Sequence, residues 1–106
     1  DLLDRRLILD EKLRRILGST NVYFEPPASL IMKYPCIRYK RSNIDVVFAD
    51  NKAYLGKNRY EIIAIFEDAD DDLPDRLLYN NEDLTLNLER PYVADGLHHY
   101  VFTTHF

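Results

Sequence analysis

The chain has 106 residues, 46% hydrophobic and 30% charged, with a net charge of −4, so a single domain spanning 1–106 with one core is expected. The negative balance gives the molecule as a whole no electrostatic reason to bind nucleic acid, and no apolar run approaches the ~18–20 residues of a membrane span. Its one cysteine, Cys36, excludes an intrachain disulfide, supplies no metal framework and fits a reducing place of synthesis. The chain starts at Asp1 rather than Met, so its native start is expected to lie further upstream.

Residues 1–17 read as an amphipathic helix. Leu2, Leu9, Leu13 and Ile16 recur at helical spacing, and Leu3, Leu7 and Leu17 widen the stripe. Asp1 and Asp4 suit the positive end, Arg14 and Arg15 the negative end, and Gly18 supplies a left-handed stop. The helix's four arginines are interleaved with acids, which reads as a solvated face rather than a phosphate site. Val22-Tyr23-Phe24 is a short extended piece, ended by Pro26-Pro27, which cannot join a central ladder. Residues 28–33 then form a connecting loop with room for one helical turn.

The stretch 34–66 organises the rest. Cys36-Ile37-Arg38-Tyr39-Lys40 alternates as a strand with one wet face, and residues 59–66 are apolar enough for a central strand. With the turn-like Ala49-Asp50-Asn51-Lys52 between them, the two predict a long antiparallel hairpin. Its distal part, 42–57, is too polar to be covered by so short a chain and is expected to protrude.

The acidic run Glu67-Asp68-Ala69-Asp70-Asp71-Asp72 copies the first three ligand positions of a Ca²⁺ loop, but Leu73 stands at the turn glycine and Tyr79 at the bidentate acid. It reads instead as the start of a short helix with Pro74 in its first turn. Residues 83–89 alternate, predicting Leu84, Leu86 and Leu88 inward. Residues 90–94 read as a bent or edge continuation, and Asp95-Gly96 as a turn. Residues 98–106 form a last strand, with Tyr100, Phe102, Thr104 and Phe106 on one face and His99, Val101, Thr103 and His105 on the other. The expected fold is therefore α+β: an N-terminal amphipathic helix, an antiparallel sheet with a protruding hairpin, and one short helix between two hairpins.

Chemistry-bearing residues are few. His99 and His105 share a strand face but lie ~20 Å apart at ~3.3 Å per residue. A dyad of Cys36 with a histidine would need a tertiary meeting that no spacing announces. The expectation is no enzyme, no cofactor and no metal.

Charge is patterned instead. Arg38, Lys40, Arg41, Lys52, Lys57 and Arg59 make the first hairpin basic, against the acidic run. Between copies this would give head-to-tail complementarity. The candidate subunit contacts are Arg38, Lys40, Asn43, Asp45, Asp50, Asn51, Lys52, Lys57 and Arg59, with Asp70, Asp71 and Asp72 opposing them.

NVYFEPP at 21–27, MKYPCIRY at 32–39, NIDVVFADNKAYLGKNRYEI at 43–62 and ADGLHHYVFTTHF at 94–106, with PDRLL at 74–78, run in order from residue 21 to the end of the chain and make up half of it. In these pieces it resembles the small tail-completion or tail-terminator proteins in the neck of long-tailed bacteriophages. The resemblance implies a virion structural protein, assembled in the host cytoplasm, that forms a homo-oligomeric ring, a hexamer, at the head-proximal end of the tail. Such a ring would cap the tail tube protein, meet the head-side neck proteins and let DNA pass without specific binding, with no membrane involved. Head-closure and head–tail adaptor proteins are closely similar alternatives. Outside this class stands a monomeric binding module. The family has no catalytic motif to carry across.

Overall fold

A computed structural model describes residues 1–42 and 57–106. In chain order it holds α1 (Leu2–Leu17), β1 (Val22–Phe24), β2 (Cys36–Ser42), β3 (Arg59–Phe66), α2 (Leu73–Leu78), β4 (Asn87–Ala94) and β5 (Leu97–His105). The architecture is α+β, and the five strands form one sheet in the order β1-β2-β3-β5-β4.

The α1 boundaries follow from capping. The Asp1 carboxylate accepts a hydrogen bond from the Asp4 backbone N–H, and Gly18 ends the helix at φ 82° with its N–H on the Arg14 carbonyl. Leu9, Leu13, Ile16 and Leu17 are buried, but Leu2, Leu3, Leu7 and Ile8 are about half exposed; of these Leu3 and Leu7, four apart, share one outer face of the helix.

β2 and β3 pair antiparallel from Cys36↔Ile65 to Ser42↔Arg59, which gives the base of the predicted hairpin. Its distal part, 43–56, lies outside the described residues. Val22–Phe24 is more than an extended piece: it is an edge strand, parallel to β2. The sheet is therefore mixed rather than wholly antiparallel. The loop at 25–35 allows this, because Ile37 N–H bonds the Asn21 carbonyl and Glu25 N–H the Tyr39 carbonyl, extending the ladder at both ends.

Alternation along the strands makes two faces. On one, α1 and α2 cover Ile37, Tyr39, Tyr60, Ile62, Ala64, Phe66 and Phe102. On the other, Cys36, Ile63, Ile65 and Val101 make a smaller cluster, against which Tyr23, Met32, Tyr34 and Leu97 pack. The loop carries no helical turn. It is held down by Asn21 Nδ2 to the Pro35 carbonyl (3.2 Å) and by the Lys33 N–H to the Tyr23 hydroxyl (3.2 Å).

The alternating segment at 83–89 folds differently from its prediction. β4 starts only at Asn87, and a bulge between Leu88 and Arg90 shifts the register. Leu86 is buried from the preceding loop, Leu84 is partly buried, and Leu88 is 42% exposed. The loop is fixed by side chains: Asn81 Nδ2 donates to the Arg76 and Leu77 carbonyls, and Asn81 Oδ1 accepts from the Asp83 and Leu84 N–H groups. Asp95 (φ 54°) and Gly96 (φ 76°) form the tight β4–β5 turn, as their left-handed preference predicts. Ala94↔Leu97 is then the hydrogen-bonded closing pair. Alternation puts Pro91, where no N–H exists, at a position facing away from β5.

Leu86→Ala should therefore cost about 2–5 kcal/mol, and Leu88→Ala less than about 1 kcal/mol, despite their shared parity. Urea unfolding of both variants checks this; equal losses would mean that Leu88 is covered despite its place on the edge strand.

Candidate functional site

Arg38, Lys40 and Arg59 lie on neighbouring strands of the sheet face turned away from the helices. Lys40 sits 3.8 Å from Glu61 directly opposite, and Arg59 donates to Ser42 Oγ (3.3 Å). Arg38 and Lys40 join Glu25, Pro26, Glu61 and Ile63 around an open cleft of about 380 Å³. Lys57 is exposed beside β3. Asn43, Asp45, Asp50, Asn51 and Lys52 lie outside the described residues.

Asp70, Asp71 and Asp72 are at the opposite end of β3 from Arg59, so the chain does not bring the acids to the basic strand residues. Two of the three have work inside the fold. Asp72 Oδ1 accepts from Arg76 Nε (3.1 Å), Asp71 Oδ1 lies 3.9 Å from Arg76 Nη2, and Asp71 also takes the Leu73 N–H (2.9 Å). Arg76 in turn gives Nη1 to the Ile16 and Leu17 carbonyls at 2.7 and 3.1 Å. It thus satisfies the last carbonyls of α1, where a positive charge also suits the helix dipole. The acidic run is partly the holder of a helix cap, and Asp70 is its exposed remainder.

The sequence reading missed a second cationic cluster. Arg6 lies over the Phe24 ring at 4.1 Å, and Arg41 lies 5.6 Å from the same centroid and 5.5 Å from that of Tyr60. Both are partly buried rather than solvated. The signal was there: Arg41 is in phase with the inward Ile37 and Tyr39, and Arg6 precedes Leu9 and Leu13 by three and seven residues. Beside them the Tyr39 hydroxyl donates to Asp10 Oδ2 (2.5 Å). Burial raises the Tyr39 pKa first, the Asp10 hydrogen bond raises it further, and Arg6 works against both.

The histidines and the thiol stay apart. His98 stacks on Phe66 and His99 on Tyr92, on opposite faces of the sheet. Cys36 pairs with Ile65 and Ile65 with His99, so a whole strand separates thiol from imidazole. At ~4.8 Å per strand that is about 10 Å, beyond hydrogen-bond reach. Among the described residues, no group of three or more His, Cys, Asp or Glu is placed to hold a metal ion, and no helix is long and apolar enough to cross a membrane.

Searches of protein-family models, of curated proteins and of solved structures found no match to this chain.

Burial pushes the Cys36 thiol from its ordinary 9.0 up to about 11, against the pull of Arg38. The folded form then keeps a proton that the unfolded chain releases, so this stability is present below pH 9.0 and is lost as pH rises towards 11. Thermal melts should fall across that window, and Cys36→Ala should flatten the fall by about 2–3 kcal/mol. An unchanged slope would show that ionisation of Cys36 is not coupled to unfolding.

Proposed function

We propose that this chain is a structural subunit of a ring at the head-proximal end of a bacteriophage tail. In this role it caps the tail tube, joins it to the head-side neck and is carried in the virion. The reading starts from the ordered sequence resemblance to tail-completion proteins. The observation that carries it is the outer face of α1: Leu3 and Leu7, one turn apart, stand about half exposed, flanked by the similarly exposed Leu2 and Ile8, while Leu9 and Leu13 are buried.

A helix with apolar residues on a face turned away from its own core has surface that a neighbouring copy removes from water. Fully burying one leucine gains ~1.5–3 kcal/mol, so several together offset much of the entropy of association. Exposed apolar side chains scattered singly carry no such meaning, but a run within two helical turns does. The role is one of shape and contact, not of catalysis, with DNA passing through the assembled ring unread. A head-closure or adaptor ring would use the same subunit surfaces and differ only in its neighbours.

Light scattering after size exclusion should give a multiple of the monomer mass for the wild type. Leu3→Glu with Leu7→Glu should give a monomer with the same circular dichroism and a melting temperature within a few degrees, since exposed substitutions cost little. A wild-type chain that stays monomeric throughout a concentration series overturns the ring reading. An assembled double variant moves the interface off α1.

A further inference from the structure

Arg6 and Arg41 converge on one phenylalanine, and among the described residues neither has a carboxylate within ion-pair reach. Arg6 gives Nη1 to the Tyr39 hydroxyl, and Arg41 gives Nε and Nη2 to the Tyr60 hydroxyl, each at 3.4 Å. Asp10, which shares Tyr39 with Arg6, is already taken by that hydroxyl and by Arg14 at 2.6 Å. Both guanidiniums are therefore held against the same Phe24 ring, carry like charge and keep unused donors among the described residues. A guanidinium presents a planar fork that a carboxylate or phosphate fills with two bonds. Pre-positioned and half-desolvated, with no carboxylate against it among the described residues, the pair makes an anion socket.

The chain's own surface favours one occupant. Glu67 and Asp70 are exposed and have no cation within ion-pair reach among the described residues, whereas Asp71 and Asp72 are spent on Arg76. Arg41 is paired with Tyr60 near the start of β3, and Glu67 follows its last residue, Phe66. At ~3.3 Å per residue about 23 Å separates these ends, so socket and acids cannot meet within one chain. They can meet between copies, joining one end of a subunit to the other end of the next, as a heterologous contact requires. A nucleic-acid backbone is the poorer fit, because the net charge of −4 repels it.

We propose that Arg6 and Arg41 form the socket that receives Glu67 and Asp70 of a second copy. This inference rests on the ring reading and replaces Arg38, Lys40 and Arg59 as the cations of the head-to-tail contact. The test uses the full chain, with mass and sedimentation as readouts and circular dichroism as the check of folding. Arg41→Glu alone, and Glu67→Lys with Asp70→Lys alone, should each weaken self-association tenfold or more. Mixing the two variants should restore one contact per pair, a rescue that a merely structural arginine would not give. Because Glu67 and Asp70 are exposed, Glu67→Gln with Asp70→Asn keeps the test decisive if Arg41→Glu does not fold.

A wild type that assembles and is unaffected by the acid variants overturns the socket and leaves the ring standing. A wild type that never assembles overturns both. Unchanged mass for Arg41→Glu, together with lost binding to a labelled DNA duplex, assigns the socket to phosphate and also overturns the proposal.

Discussion

β3 has no free side. It is hydrogen-bonded to β2 on one edge and β5 on the other, and its residues from Tyr60 to Phe66, except Glu61, are buried on both faces. A single small sheet does not usually cover both faces of a strand; here the helices cover one and the short loop at 25–35 covers part of the other. The remaining elements are arranged by what β3 needs. α1 and α2 supply leucines to the Ile62–Ala64–Phe66 face, and Tyr34 and Met32 pack beside the Ile63–Ile65 face. Where this demand ends, at Glu61 and Arg59, the sheet becomes polar and open, and the cleft beside Arg38 begins.

Elements specified by local chemistry were legible in the sequence. Asp1 and Gly18 bound α1, Asp95-Gly96 sets the last turn, and the β2–β3 base follows from alternation and apolar density. What depended on distant partners was not. Val22–Phe24 is a strand because the Asn21 carbonyl accepts from the Ile37 N–H and the Glu25 N–H donates to the Tyr39 carbonyl of β2, which three residues cannot announce. Leu88 keeps the parity of Leu86 and lies opposite the buried Phe102, yet it is 42% exposed, because β4 is the edge of the sheet and the cover over that face ends before it. Arg6 shows a like failure on a helix: its position is apolar by spacing, but its charge argues for solvent. Stacking on Phe24 satisfies both, since an arginine presents a flat apolar face and a polar rim.

The charges sort into those the fold consumes and those it leaves over. Arg76 is consumed, with Asp71 and Asp72 on one side and the α1 carbonyls on the other. Asp83 is consumed as well, lying 3.3 Å from Lys12 and 3.6 Å from Arg15 and so tying the α2–β4 loop back to α1. A composition count treats all these groups alike and so overstates how much of the acidic run is offered to a partner. The remainder is smaller and more directional, with acids at one end of β3 and stacked arginines near the other.

The outward position of Pro91 limits what β4 can do. β4 is the outermost strand over eight residues, nearly all exposed, with Tyr92 and Val93 on its surface. A strand of that kind is ordinarily a template on which further chains stack without end, as in amyloid. A missing donor in the middle of the outer row and a bulge two residues earlier deny an incoming strand a continuous ladder. This edge thus offers a second chain no continuous cross-β ladder. What β4 presents outward is side chains such as Tyr92 and Val93 rather than an unbroken row of backbone donors.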